Sequence, residues 1–443
     1  MAGVILSSSL RWPSTSHSNR RSGNQSLSWI RAAMSNNFVG PMLLVTILFS
    51  IAPQELLARN LTCTEKPEAF WQDQPESWCL IEDVDLEESS EDINFPEVPK
   101  IYLRNFNVSY LSPTLLFKMK SVQHFTVEHC TMTKLFMKPT LSSMEIKNSD
   151  ISEVIIDKDS NYELLNFSLE GIYRKTFPNN FIRLTHLEEL SIRHNDLPKF
   201  NMRQLNGLVK LKTLDLSYDK VEQLLIPEAL NLPNLKELYL AENHLQKLPI
   251  SIRRLKTLES LNLHSNQIAF LEMSHFNGLN NLKKLVLSGN KLQISTMEPV
   301  HLPSLEKLEM IGCGLKELDM LYWKLPALRY FNVYDNSLVA INNFPESFTK
   351  ELVFVPVGNR WSCLKLEAIS SKVTIKVKER DHYCEHKVAD ICCNGGNIDF
   401  NLVDTLDRKV QMLKFQNSIL YEKLEMTNEK LEKVIGVVDQ RVV

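Results

Sequence analysis

The chain is 443 residues long, 44% hydrophobic and 23% charged, and its 50 basic and 53 acidic side chains leave a net charge of −3. No basic stripe runs along it, which argues against nucleic acid as a partner. One compact core would be unusual at this length, whereas a stacked array grows simply by adding units.

In chain order, the first feature is an apolar run of 15 residues from Phe38 to Ala52. That is short of the ~20 a helix needs to cross a bilayer. It has the length of a secretory-signal core, with small residues for cleavage at Ser50 and Ala52 or at Ala58. Arg11, Arg20, Arg21 and Arg31 make the preceding stretch long for such a signal, and translation from Met34 would leave an ordinary one. Residues 1–58 are read as a leader and the mature chain as secreted; an uncleaved signal anchor is the rival reading. Residues 59–97 read as a front cap, in which Cys63 and Cys79 flank Lys66 to Trp71. Glu82, Asp83, Asp85, Glu87, Glu88, Glu91 and Asp92 follow with no cation among them, the pattern of a solvated loop or, as the alternative, of a dock for a cationic partner.

From Val98 to Leu338 one pattern, apolar-x-x-apolar-x-apolar-x-x-(Asn or stand-in)-x-apolar, is written eleven times. Leu187 to Leu197, Leu235 to Leu245 and Leu282 to Leu292 are the clearest copies. This is the leucine-rich repeat, so residues 98–359 are expected to form an α/β solenoid, a horseshoe with one short parallel strand per coil. The ninth position reads Phe106, Cys130, Ser149, Glu170, Asn195, Asp219, Asn243, Asn266, Asn290, Cys313 and Asn336, with a degenerate copy at Asn359. The spacing is 23 or 24 residues from Asn195 onward and ragged before it, so irregular N-terminal coils are expected. An Asn there offers donor and acceptor to a buried turn, and stacked copies make a ladder. Cys130 and Cys313 are compact substitutes, read as unpaired core thiols.

Positions three, five and seven of each repeat are expected to point outward on the inner wall. They include Arg193, Asp215, Tyr239, His264, Tyr330 and Tyr334. Tyr and Arg are frequent interface anchors, but polar residues are also the default surface of such a wall. Asn60, Asn107 and Asn166 begin Asn-x-Ser/Thr glycosylation acceptors.

Six cysteines remain, all at the ends. Cys63–Cys79 is the only local pairing at the front. Cys363, Cys384, Cys392 and Cys393 fall in residues 360–396, a rear cap, and allow three connectivities. A vicinal bond is sterically poor, so Cys392 and Cys393 should reach Cys363 and Cys384, in an order left open. A zinc site built around Asp381 to His386 is the minor alternative, because secreted cysteines usually pair with each other.

Residues 397–443 carry a new period. Val403, Val410, Asn417, Leu424, Leu431 and Val438 fall at a positions and Leu406, Leu413, Leu420, Thr427 and Val434 at d positions of about five heptads. Val with Leu favours a parallel two-stranded coil, and an Asn at one a position fixes register. The alternative is a single helix folded against the solenoid. In a self-pair Lys409 at g would face Lys414 at e, so a partner with a more acidic coil is expected.

Asn359-Arg360-Trp361-Ser362-Cys363, then Cys384, Cys392-Cys393 and the coil, resemble the mosquito leucine-rich-repeat immune (LRIM) family over about residues 38–438. The resemblance implies a secreted haemolymph scaffold of innate immunity. It would pair as a disulfide-linked heterodimer with a related leucine-rich-repeat chain and hold complement-like thioester proteins against pathogens. The coil is short for the family, and no cysteine is reserved for a partner; if an interchain bond forms, Cys392 or Cys393 would carry it. The second functional reading is a receptor or opsonin that binds microbial surface molecules on the inner wall. No Gly-x-Ser-x-Gly, His-Glu-x-x-His, phosphate-binding glycine loop or redox Cys-x-x-Cys occurs, so neither enzymatic activity nor a cofactor is expected. His194, His244 and His264 read as surface residues.

Overall fold

The computed structural model describes residues 59–64, 78–86, 93–172, 179–377, 384–395 and 402–442. The leader with Met34 and the Phe38–Ala52 run lies outside them, as do Glu87, Glu88, Glu91, Asp92 and Asp381 to Tyr383.

Within each repeat the fourth and sixth residues point inward because side chains alternate along a strand. Leu190 and Ile192, Leu238 and Leu240, and Leu285 and Leu287 are all buried. The strands pair in parallel with the fourth positions aligned, giving one stack from Leu190 through Leu214, Leu238, Leu261, Leu285, Leu308 and Phe331 to Phe354. A uniform side chain at a uniform spacing therefore builds a continuous apolar spine. The parallel sheet runs from Cys79–Leu86 at the front to Thr374–Ile375 at the rear. The chain is an α/β leucine-rich-repeat solenoid, with three α-helices among the described residues: α1 (Pro113–Lys118), α2 (Cys363–Ser370) and α3 (Leu402–Val442).

The front differs from expectation in one respect. Glu82, Asp83 and Asp85 do not lie in a solvated loop but on the leading strand of the long parallel sheet, Cys79–Leu86, which pairs with Lys100–Val108. The charges are accommodated by partners one coil on. Arg104 forms an ion pair with Glu82, and the Asn105 amide donates to Asp83 at 2.8 Å.

The turns after the strands carry the ladder. The Asn243 amide donates to the Leu216 carbonyl of the preceding coil at 2.7 Å, while its oxygen accepts from the Asp219 and Val221 N–H groups. Asn266, Asn290, Asn336 and Asn359 repeat this geometry toward Leu240, Leu263, Met310 and Val333. Cys313 keeps half of it, its Sγ–H reaching the Leu287 carbonyl at 3.3 Å. Cys130 does the same in the irregular coils, its Sγ–H reaching the Leu103 carbonyl at 3.6 Å, and it also accepts from the Phe106 N–H at 3.3 Å.

Asp219 is the weak rung. One carboxylate oxygen accepts from the Asn195 N–H at 2.7 Å, but the other is buried with no hydrogen-bond partner. Burial pushes its carboxyl up to about 7, against the opposing pull of the Asn195 hydrogen bonds. A carboxyl raised in the folded state binds its proton more tightly there than in the unfolded chain. Its contribution is therefore intact below pH 4 and is lost as pH climbs toward 7. Asp219→Asn restores a donor pointing as Asn243 does. It should raise stability above pH 7 by on the order of 2 kcal/mol and flatten the pH 4–7 decline, read by denaturant titration across that range.

Candidate functional site

Three surfaces stand apart from the generic array: the inner wall, the rear cap and α3. On the inner wall the anchors are tied to their neighbours. The Arg193 guanidinium lies 3.6 Å from Asp215 and 5.4 Å over the Tyr218 ring, on which His194 also stacks at 4.5 Å. Asp215 aligns with Tyr239 on the next strand, and the Tyr239 hydroxyl donates to Glu237 at 2.9 Å. Burial first, then that carboxylate, push the hydroxyl up to about 12. One coil on, His264 lies 3.1 Å from the Ser288 carbonyl and 3.6 Å from Glu242. Tyr330 sits further along, under the Lys307 ammonium at 5.0 Å, and its hydroxyl accepts from Asn332 at 3.1 Å; Tyr334 is half-buried beyond it. Arg193, Asp215, Tyr218 and Tyr239 thus form one cluster, while Tyr330 is tied to Lys307 and Asn332 apart from it.

Not every third, fifth and seventh position is exposed, contrary to expectation. Ser217, Ala241, Val286, Ser288 and Asn332 are buried. With strands ~4.8 Å apart, longer side chains on adjacent strands cover the small ones. Tyr218, at the eighth position and 40% exposed, belongs to the cluster and escaped the odd-position rule. Asn60, Asn107 and Asn166 are exposed, and Asn166 opens the strand Asn166–Glu170 at the edge of the wall's irregular part.

At the front the structure joins Cys63 to Cys79. At the rear it joins Cys363 to Cys393, with Cα atoms 4.9 Å apart, and Cys384 to Cys392 at 5.8 Å. The order follows from a hairpin, His386–Val388 against Ile391–Cys393. Consecutive strand residues face opposite ways, so Cys393 turns inward to α2 while Cys392 turns to Cys384. Trp361 seals the same end, fully buried, with its indole N–H on the Pro356 carbonyl at 2.8 Å. Both vicinal cysteines are bonded within the chain, so neither Cys392 nor Cys393 is a free thiol here for the conditional interchain bond. The bond to Cys392 also removes Cys384 from any metal set.

The helix α3 presents two different faces. Leu406, Val410, Leu413, Leu420, Leu424 and Leu431 of the heptad seam are exposed, as is Asn417. Val403 and Val434 lie in the helix, their side chains outside the described residues. The opposite c and f positions meet the flank of the solenoid. Phe415 stacks on Phe270 at 5.2 Å and Ile419 is 2% exposed. Gln416 donates to Ser295 at 2.9 Å, and Lys247–Glu422 and Lys423–Glu298 form ion pairs at 2.6 and 2.7 Å. The helix therefore does fold against the solenoid, yet keeps its seam free. Lys423, at a g position of the heptad frame, is engaged by Glu298 of the solenoid. The missed signal was Met412, Phe415 and Ile419 at positions that a two-stranded coil leaves to water.

Residues 256–315 match the leucine rich repeat family model. No curated protein matches the chain in sequence. Among solved structures, the leucine-rich repeat domain of APL1B is 19% identical, covering 81% of this chain and 99% of that one, with a TM-score of 0.48. A leucine-rich-repeat protein of Leptospira interrogans is 22% identical over 65% and 84% of the two chains, with a TM-score of 0.48. A chain of the LRIM1/APL1C complex is 14% identical over 87% and 80%, with a TM-score of 0.46.

Burial pushes the Cys130 thiol up to about 11 and the Cys313 thiol to about 12, so neither forms a thiolate at neutral pH. In the native, non-reduced protein no cysteine should alkylate; in denaturant only Cys130 and Cys313 should. Peptide mapping that finds Cys363 joined to Cys384 would contradict the hairpin geometry.

Proposed function

We propose that this chain is a secreted, glycosylated, non-enzymatic scaffold of innate immunity. It pairs through α3 with a related leucine-rich-repeat chain and binds complement-like thioester proteins. The observation that carries this reading is the exposed seam. A row of Leu and Val on one helix face, with Asn417 in register, has the pattern of a helix awaiting a second helix. Disulfide caps at both ends suit an oxidising, extracellular setting. The domain order proposed is leader, front cap, repeats, rear cap and coil. Because the cap cysteines are satisfied internally, the pairing proposed is noncovalent. Lys409 opposite Lys414 disfavours a self-pair by some tenths of a kcal/mol, which favours an acidic partner strand.

A second reading, a receptor for microbial surface molecules, is favoured by the Arg193–Tyr218–Tyr239 cluster on the inner wall, since aromatic and Arg anchors concentrate at binding sites.

Leu413→Asp with Leu420→Asp should abolish the heterodimer in sedimentation velocity while changing solenoid stability by less than about 0.5 kcal/mol, since both side chains already face water. Pull-downs separate the two readings. Host thioester protein recovered without microbes, and lost with the seam variant, supports the scaffold. Binding to washed microbes that Tyr239→Ala abolishes and the seam variant leaves intact supports the receptor.

A further inference from the structure

The contact between α3 and the solenoid flank is thin. Phe415 and Ile419 fill its centre, but a cavity of about 600 Å³ lies beside them, lined by Leu271, His275 and Glu422 among others. A second, of about 730 Å³, opens toward Lys409 and Met412. Among the described residues the polar links include Gln416 on Ser295 and the Lys247–Glu422 and Lys423–Glu298 pairs, each made by a long side chain. Such a contact is suited to opening.

Beneath the helix lies an imidazole that gains nothing from its burial. His275 belongs to the 3-10 turn Met273–Phe276. The turns Met202–Leu205 and Ile250–Arg254 of other repeats put Gln204 and Arg254 at the corresponding place, and both are half-exposed. His275 is 4% exposed, and neither ring nitrogen has a hydrogen-bond partner. Four charged groups face the ring: Glu272 on its own turn, Arg253 from the preceding repeat, and Glu422 and Lys423 from α3. The three on its own turn and on α3 are committed elsewhere. Glu272 accepts from the Ser274 and Met297 N–H groups at 3.0–3.1 Å, while Glu422 pairs with Lys247 and Lys423 with Glu298. The Glu272 and Glu422 carboxylates are each engaged by other donors, and neither hydrogen-bonds the ring.

We propose that α3 is an acid-released strap: docked over a neutral His275 at neutral pH, and lifted from the flank when that ring takes up a proton. The seam is not involved, so the strap stands whether or not the chain pairs through it. Lifting would expose Phe415 and Ile419 on the helix and Phe270 and Leu271 on the flank, a surface hidden at neutral pH.

The direction follows from linkage. Docked, the ring is held down to about 4 by burial; lifted and hydrated, it returns to about 6.5. Above that value both states are neutral and docking is at full strength. As pH falls from about 6.5 toward 4, only the lifted state gains the proton. Docking should weaken about 30-fold between pH 7.5 and 5.0.

The test uses the full chain carrying Ser295→Cys, a thiol placed beneath the helix where Ser295 meets Gln416. Its reaction with dithiodipyridine, normalised at each pH to an exposed reference thiol and read at that residue by mass spectrometry, reports rare openings. The site should open about 30-fold more at pH 5.0 than at 7.5. In His275→Phe, and in His275→Gln, which copies Gln204, that gain should vanish while circular dichroism is unchanged. Equal acceleration in all three backgrounds would assign the opening to other groups and overturn the proposal, as would no acceleration in the parent.

Discussion

Everything in this chain rests on satisfying buried backbone groups at one turn per coil. Stacking leucines supplies most of the apolar burial, but the coil can close only if the N–H and C=O groups of its turn find partners away from water. The ninth side chain provides them in two directions at once, accepting from the turn before it and donating to the strand end of the same preceding coil. That bond pattern couples neighbours and only neighbours, which is why the array is strong along its axis and indifferent to its length.

Substitutions along the ladder show what the position requires. Cys313 and Cys130 keep a donor and fit the space. Asp219 keeps the acceptor and loses the donor, and its second oxygen is stranded. The cost is a pH-dependent stability, confined to one rung. Phe106 abandons hydrogen bonding for packing at the front, where the strands are longer and the coils irregular.

Much of this was legible in the sequence. The period set the strands, and cysteine placement set which thiols pair at the ends. The ninth position set the ladder except in the coil of Asn166–Glu170, where Phe167 pairs with Leu190 and so Ile172, not Glu170, is the ninth residue. The order of the rear bonds was not legible, because it depends on a hairpin of three-residue strands between Cys384 and Cys393 that no periodicity announces. The acidic front strand was missed because charges on strand faces look like a loop until Arg104 and Asn105 are placed beside them. The inner-wall cluster was half legible. Its odd positions were correct, but Tyr218 joins from the turn with a left-handed backbone, φ +65°, which a strand rule does not cover.

Only half of α3 was legible in the heptad pattern. A heptad frame sorts residues into seam and surface, and a strong seam draws attention from the surface. Phe415 and Ile419 are apolar on the side that frame assigns to water, and the flank around Phe270 is what they meet. Coil and packed helix are compatible, because seam and flank contacts lie on opposite sides of one cylinder ~10 Å across. A partner strand on the outer face and the solenoid on the inner face can therefore be held together. Any partner paired with the docked helix then inherits a fixed position relative to the repeats, so events at the flank reach the pair without altering the seam itself.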